Sequence, residues 1–262
     1  MNIEEKRRRM QISKEIFRGN SFLFGRKNEV QNDSIPTEGL NESLVPLEGR
    51  IQTQNINTYI GANFSPDYID SQKGKPFIVA GCGESLNQFN DFSDFLVVGI
   101  NDVERILTPN YLVVVNHQRT FSRGRFEWVT RSKSPVILSH IDPGVLNNRR
   151  SLVKINLGSR GKLNLDDRSK VDYTMNSPYM AVIVAYQLGA SKIGLVGVDF
   201  TPNHFFSKTG NHVLSRNTKL IDDEYAQLGR ELSNRGIKIA NLSPSSAIES
   251  WPKMSIDEFK AF

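Results

Sequence analysis

Lys75 to Leu86 reads KPFIVAGCGESL. Phe77 to Ala80 are four successive apolar residues, the pattern of a strand buried on both faces, and Gly81-Cys82-Gly83 interrupts it before Glu84-Ser85-Leu86 can open a helix. A strand that ends in glycines at a helix N-terminus brings backbone N–H groups close to a ligand, where the helix dipole favours an anion. Tight βα connections that bind nothing look the same. The stretch therefore marks a βα unit and a candidate phosphate site.

Beyond it, short apolar runs alternate with helical stretches. Phe95 to Ile100, Tyr111 to Val115, Val136 to Leu138, Leu152 to Ile155, Ile193 to Val198 and Ile237 to Ala240 read as further strands, several with no polar alternation. Helices are expected over Ser85 to Asp91, Ser122 to Arg131, Ser177 to Leu188, Thr218 to Arg235 and Ser255 to Phe262. Ser177-Pro178 is a good helix start, and Gly189 and Gly236 sit where C-caps belong. The fold class is α/β, a mostly parallel sheet with helices on both faces.

The 75 residues before this pattern are different. Residues 2 to 18 place Ile3, Met10, Ile12, Ile16 and Phe17 among alternating charges, an amphipathic helix suited to docking or homo-oligomerisation. Residues 19 to 74 are rich in Asn, Gly, Ser and Pro and predict a long irregular arm with short strands. The expected division is thus residues 1–74, helix and arm, and residues 75–262, the ligand-binding domain. The polar arm also explains a hydrophobic fraction of only 38% over 262 residues.

The formal charge is +5, from 33 basic and 28 acidic residues. That is a mildly basic solvated surface rather than a nucleic-acid footprint, since no aromatic-interleaved basic motif accompanies it. No apolar run reaches the roughly 18 residues that a membrane span needs. Lys6-Arg7-Arg8-Arg9 is not followed by an apolar stretch, so a secretory signal is not expected and a cytoplasmic location is. One cysteine rules out an internal disulfide and a cysteine zinc cage.

In an open parallel sheet, ligands sit outside the carboxyl ends of the strands. The polar residues expected there are Cys82 to Ser85, Asn101-Asp102, Asn116-His117, Ser139-His140, Asp199 and Asn241 to Ser243. Asn101 and Asn116 each close an apolar run; their amides suit the edge of a base or a ribose hydroxyl, and equally an Asx-turn. After Asp199, the stretch TPNHFFSKTGNHVLSRNT is too long for an economical connection and holds two of the four histidines, His204 and His212. Either histidine is a candidate general base toward a hydroxyl or a cation beside a leaving phosphate, with Asp199 orienting the loop. No Asp-x-Asp, Walker loop or full GxGxxG occurs, and Asp166-Asp167 and Asp222-Asp223-Glu224 read as solvated charges, so neither a metal nor a dinucleotide cofactor is expected.

The order FIVAGCGESL, GIND, PNYLVVVN, NSPYMAVIVAYQLGASKIGLVGVDF, SRNT and NLSPSS resembles the bacterial sialyltransferases of glycosyltransferase family 42. It also resembles a related family of unknown function that includes an archaeal 6-hydroxymethylpterin diphosphokinase. The likeness covers roughly residues 75 to 250. It implies a Rossmann-like fold and a nucleotide held by Gly81, Cys82, Gly83, Glu84, Ser85, Asn101, Asn116, Asn176 and Ser177. The activity implied is a metal-independent transferase moving a sugar from a nucleotide-activated donor to a glycan or other hydroxyl acceptor in bacterial glycan synthesis. The departures are Cys82, where those sialyltransferases have Asn, Leu214 where they have His, and His204-Phe205-Phe206 in place of their tyrosines. Two alternatives remain, a diphosphokinase using ATP on a pterin-like alcohol and a catalytically idle nucleotide- or DNA-associated binding module.

Overall fold

A computed structural model of the chain describes residues 62–64, 67–121, 124–141, 152–201, 203–204, 207–208 and 213–262. The helix expected over residues 2–18, and with it any oligomer contact there, lies outside the described residues. So does His212.

The expected apolar runs are strands, and shorter polar strands join them. They are β1 (Ala62–Asn63), β2 (Pro76–Ala80), β3 (Leu96–Ile100), β4 (Tyr111–Val114), β5 (Val136–Ser139), β6 (Leu152–Lys154), a pair β7 (Leu157–Arg160) and β8 (Val171–Tyr173), then β9 (Lys192–Val196), a short hairpin β10 (Asn203–His204) and β11 (Ser207–Lys208), and β12 (Lys238–Asn241). Eight of them form one sheet in the order β1-β6-β5-β4-β3-β2-β9-β12, parallel at every pairing. Phe77 to Ala80, Leu112 to Val114 and Ile137 to Leu138 are entirely buried, and each large aliphatic among them contributes about 1.5–3 kcal/mol of burial energy. Ala62 and Asn63 pair with Val153 and Lys154 at the sheet edge, so the end of the expected arm is a strand of this same domain.

Four helices are described, α1 (Phe126–Thr130), α2 (Ser177–Gln187), α3 (Thr218–Asn234) and α4 (Ile256–Ala261). The one expected over Ser85 to Asp91 is instead a single 3-10 turn, Glu84–Gln88. Every residue of α2 except Tyr186 is buried, as befits a helix that is apolar all round. Gly194 meets Phe259 of α4, whereas Gly229 of α3 meets Ile239. Since Ile239 and Ala240 lie beside Ile193 and Gly194, and adjacent strand residues point to opposite faces, α3 and α4 cover opposite faces. Tyr179 of α2 meets Tyr225 of α3 edge-on at 5.8 Å, so α2 shares the α3 face. The result is an α/β, Rossmann-like domain.

The chain runs outward from β2 through β3, β4, β5 and β6, then returns through β7, β8 and α2 to place β9 on the other side of β2. The reversal lies between β2 and β9. Open α/β sheets bind ligands at such a point, beyond the carboxyl ends of the strands.

Candidate functional site at the carboxyl edge of the sheet

The glycines after β2 face β9. Gly81 N–H donates to Val196 O at 2.7 Å, Gly83 N–H to Gly197 O at 2.7 Å, and Ser85 N–H to Asp199 Oδ2 at 2.8 Å. A Cβ on Gly81 would lie 2.2 Å from Gly197 O, and one on Gly83 2.4 Å from Asp199 Oδ2. Close packing of two turns therefore requires both glycines. The N–H groups of residues 81, 83 and 85 are spent on β9 and the residues just after it. A five-residue 3-10 turn also supplies no helix dipole worth counting, and its first residue, the exposed Glu84, is acidic.

Asp199 is the centre of this closure. It is 2% exposed and accepts from Ser85 through both the backbone and the hydroxyl, the latter at 2.5 Å. The Ser85 hydroxyl also contacts Ser243 Oγ at 2.8 Å, and both hydroxyls accept from Gly197 N–H. Gly197 has φ +67, a conformation glycine adopts without strain, which ends β9 and turns Asp199 back under the β2 turn. Its carboxylate thus grips Ser85 and holds the glycine turn, while most of the histidine loop it is expected to orient lies outside the described residues.

Cys82 lies behind the same turn. Its thiol is 3.5 Å from Ile100 O and 3.7 Å from Asp102 Oδ1, and burial pushes its pKa far above the usual thiol range. Only the thiolate is nucleophilic. The folded protein is expected to leave Cys82 unreacted with iodoacetamide at mildly alkaline pH and to label fully in denaturant; labelling at equal rates in both would show that the turn opens freely.

A different group of polar residues makes looser contacts. Asn101 adopts φ +53, which Asn tolerates better than most residues, and its Oδ1 accepts from Asn116 Nδ2 at 3.4 Å. The same amide nitrogen lies 3.3 Å from Ser177 Oγ at the start of α2. Asn116 is exposed and Asn101 half-buried. Three elements distant in sequence thus bring amide and hydroxyl groups to one place. Asn176, expected beside them, is 3% exposed and engaged as the α2 N-cap, accepting from Tyr179 N–H and Tyr225 Oη and donating to Thr174 Oγ1.

His204 lies in the β10–β11 hairpin, paired with Ser207. His117 accepts from Arg119 N–H and caps a 3-10 turn. His140, the residue after β5, has a buried Nδ1 without a partner, and burial lowers its pKa. Arg160 was not singled out by any sequence signal. It ends β7 beside Tyr173 of β8 and sets Nη2 against Met175 Sδ, two residues before Ser177.

Among the described residues no group of three His, Cys, Asp or Glu side chains is placed to hold a metal, and no helix is long and apolar enough to cross a membrane. No protein-family model and no curated protein matches the chain. Solved structures with a similar fold include a sialyltransferase CstII from Campylobacter jejuni with CMP-3FNeuAc, at 14% identity over 69% of this chain and 86% of that one, TM-score 0.44. Another is the MAf glycosyltransferase from Magnetospirillum magneticum AMB-1, at 13% identity over 72% of this chain and 35% of that one, TM-score 0.48.

Proposed function

We propose that the chain is a metal-independent glycosyltransferase that moves a sugar from a nucleotide-activated donor to a hydroxyl acceptor. The observation that supports this most is the contrast between two sets of polar groups at the sheet's carboxyl edge. Asp199, Ser85, Ser243 and Asn176 are buried and engaged with the protein. Asn116, open to solvent, makes long, weak hydrogen bonds through Nδ2 to Asn101 Oδ1 and to the Oγ of Ser177, itself only 7% exposed. Such groups exchange partners readily when a ligand with its own donors and acceptors arrives.

In this reading the nucleotide lies along the edge from the turn at residues 81–85, past Asn101, to Asn116 and Ser177. That spans two strand spacings, roughly 10 Å. Glu84 borders it on the β2 side. The bond between the sugar carbon and the phosphate oxygen breaks, and the nucleotide leaves with the electron pair. The acceptor oxygen bonds to that carbon and loses its proton to His204 or His212, histidine being the side-chain type best suited to a general base in water.

Thermal unfolding against CMP, CDP, UMP, UDP, GDP, ADP and ATP, with and without Mg²⁺, tests the reading. A ligand at one hundred times its Kd adds about 2.7 kcal/mol of stability. CMP or a nucleoside diphosphate is expected to raise Tm without metal. In Asn116→Ala the affinity should fall about three- to tenfold, the net value of one or two neutral hydrogen bonds. A response confined to ATP with Mg²⁺, or to no nucleotide at all, would overturn the proposal.

A further inference from the structure

Six arginine and lysine side chains are half-buried among the described residues: Arg105, Arg125, Arg160, Arg168, Lys192 and Arg235. Five of them meet oxygen. Arg105 and Arg125 pair with Asp102, Arg168 with Asp70, Arg235 with Asp166 and Glu231, and Lys192 donates to the carbonyls of Phe259 and Lys260. Arg160 alone, among the described residues, has a thioether as its polar partner, Sδ of Met175. A thioether is a weak acceptor, and a partly desolvated guanidinium is normally matched by a carboxylate or phosphate.

Nearby acid does not supply the match. Asp172 precedes Tyr173 on β8, but its two oxygens accept from Ser159 N–H and Asn164 N–H at 2.7 Å each. Tyr173 is the register partner of Arg160, and adjacent strand residues alternate faces, so Asp172 belongs to the other side of the β7–β8 ribbon. None of the Arg160 nitrogens is buried without a partner, which leaves the remaining donors accessible from solvent.

We infer that Arg160 is the anion-recognition residue of the carboxyl-edge site, binding a pair of oxyanion oxygens on the substrate, either a donor phosphate or the carboxylate of an acidic sugar. The inference rests on the reading of this edge as the substrate site. It also answers a question raised by the glycine turn. With the N–H groups of residues 81, 83 and 85 spent on β9 and the residues just after it, and the acidic Glu84 exposed, that turn offers an anion no side-chain cation and fewer donors than its glycines suggest. Arg160 is on the opposite flank, two residues from Ser177 through Met175.

The test is thermal unfolding of the full chain titrated with two probes, pyrophosphate for the phosphate source and D-glucuronate for the carboxylate source, in the native protein, Arg160→Gln and Arg160→Lys. At least one probe is expected to stabilise the native protein, with affinity roughly ten- to hundredfold weaker in Arg160→Gln. Arg160→Lys should recover part of it, because an ammonium keeps the charge without the bidentate fork. Pyrophosphate alone assigns the donor phosphate; glucuronate alone assigns an acidic sugar. A merely structural role would lower the ligand-free Tm of Arg160→Gln and leave the titrations unchanged. That result, or no stabilisation of the native protein by either probe, overturns the inference. An Arg160-dependent response to a probe together with silence toward every nucleotide would instead refute only the glycosyltransferase reading.

Discussion

Arg125→Met is expected to lower the unfolding free energy by about 3–5 kcal/mol, the cost of leaving one member of a buried ion pair without its partner. Asp102 has no exposed surface. Arg125 grips it from just before α1, with Nε at 2.8 Å from Oδ2 and Nη2 at 2.5 Å from Oδ1. The only other cation near that carboxylate among the described residues is Arg105, at 3.9 Å and more exposed. Urea denaturation gives the magnitude. The double variant Asp102→Asn/Arg125→Met should lose less than the sum of the two single variants, because it removes the stranded charge as well as the attraction. If the proposed function holds, nucleotide affinity should weaken too, since Asp102 directly follows Asn101 and the ion pair anchors the end of β3. An Arg125→Met midpoint equal to that of the native protein would show that water replaces the guanidinium without cost.

The second large effect is expected from Gly81→Ala. A methyl there would stand 2.2 Å from the carbonyl oxygen of Gly197 and 2.8 Å from its carbonyl carbon. Both are backbone atoms, so no flexible side chain can yield and β2 or β9 must move. Overpacking of a rigid core costs typically 1–3 kcal/mol and occasionally more, and this position belongs at the upper end, about 3 kcal/mol. The β2–β9 seam also carries the hydrogen bonds of Gly83 and Ser85. Gly81→Ala should therefore raise the exposure of Cys82 to alkylation as well as lower the denaturation midpoint. An unchanged midpoint together with an unreactive Cys82 would mean that the two turns are not in contact.

Much of this architecture was legible in the chain itself. The runs at Phe77 to Ala80, Tyr111 to Val114, Val136 to Leu138 and Ile193 to Val196 announce strands because a parallel sheet covered on both faces buries every residue of its central strands. Ser177-Pro178 announces α2 because its N-cap and first-turn chemistry is local. Such features depend on neighbours a few residues away. The polar residues at the strand ends follow from the strands, since parallel strands must all end at the same edge.

What those residues do was decided by tertiary structure. The glycines at 81 and 83 read as a tight turn, and only the fold shows that Gly197 and Asp199 from across the sheet take up the space beside them. Asp199 reads as the end of a strand, and only the fold places Ser85 within 2.5 Å of it. Leu157–Arg160 carries no apolar alternation and so no strand signal. Its pairing with Val171–Tyr173 alone brings Arg160 to Met175 and the start of α2. Secondary structure follows from local periodicity and capping, whereas the availability of a polar group depends on which distant partner the packing has already given it.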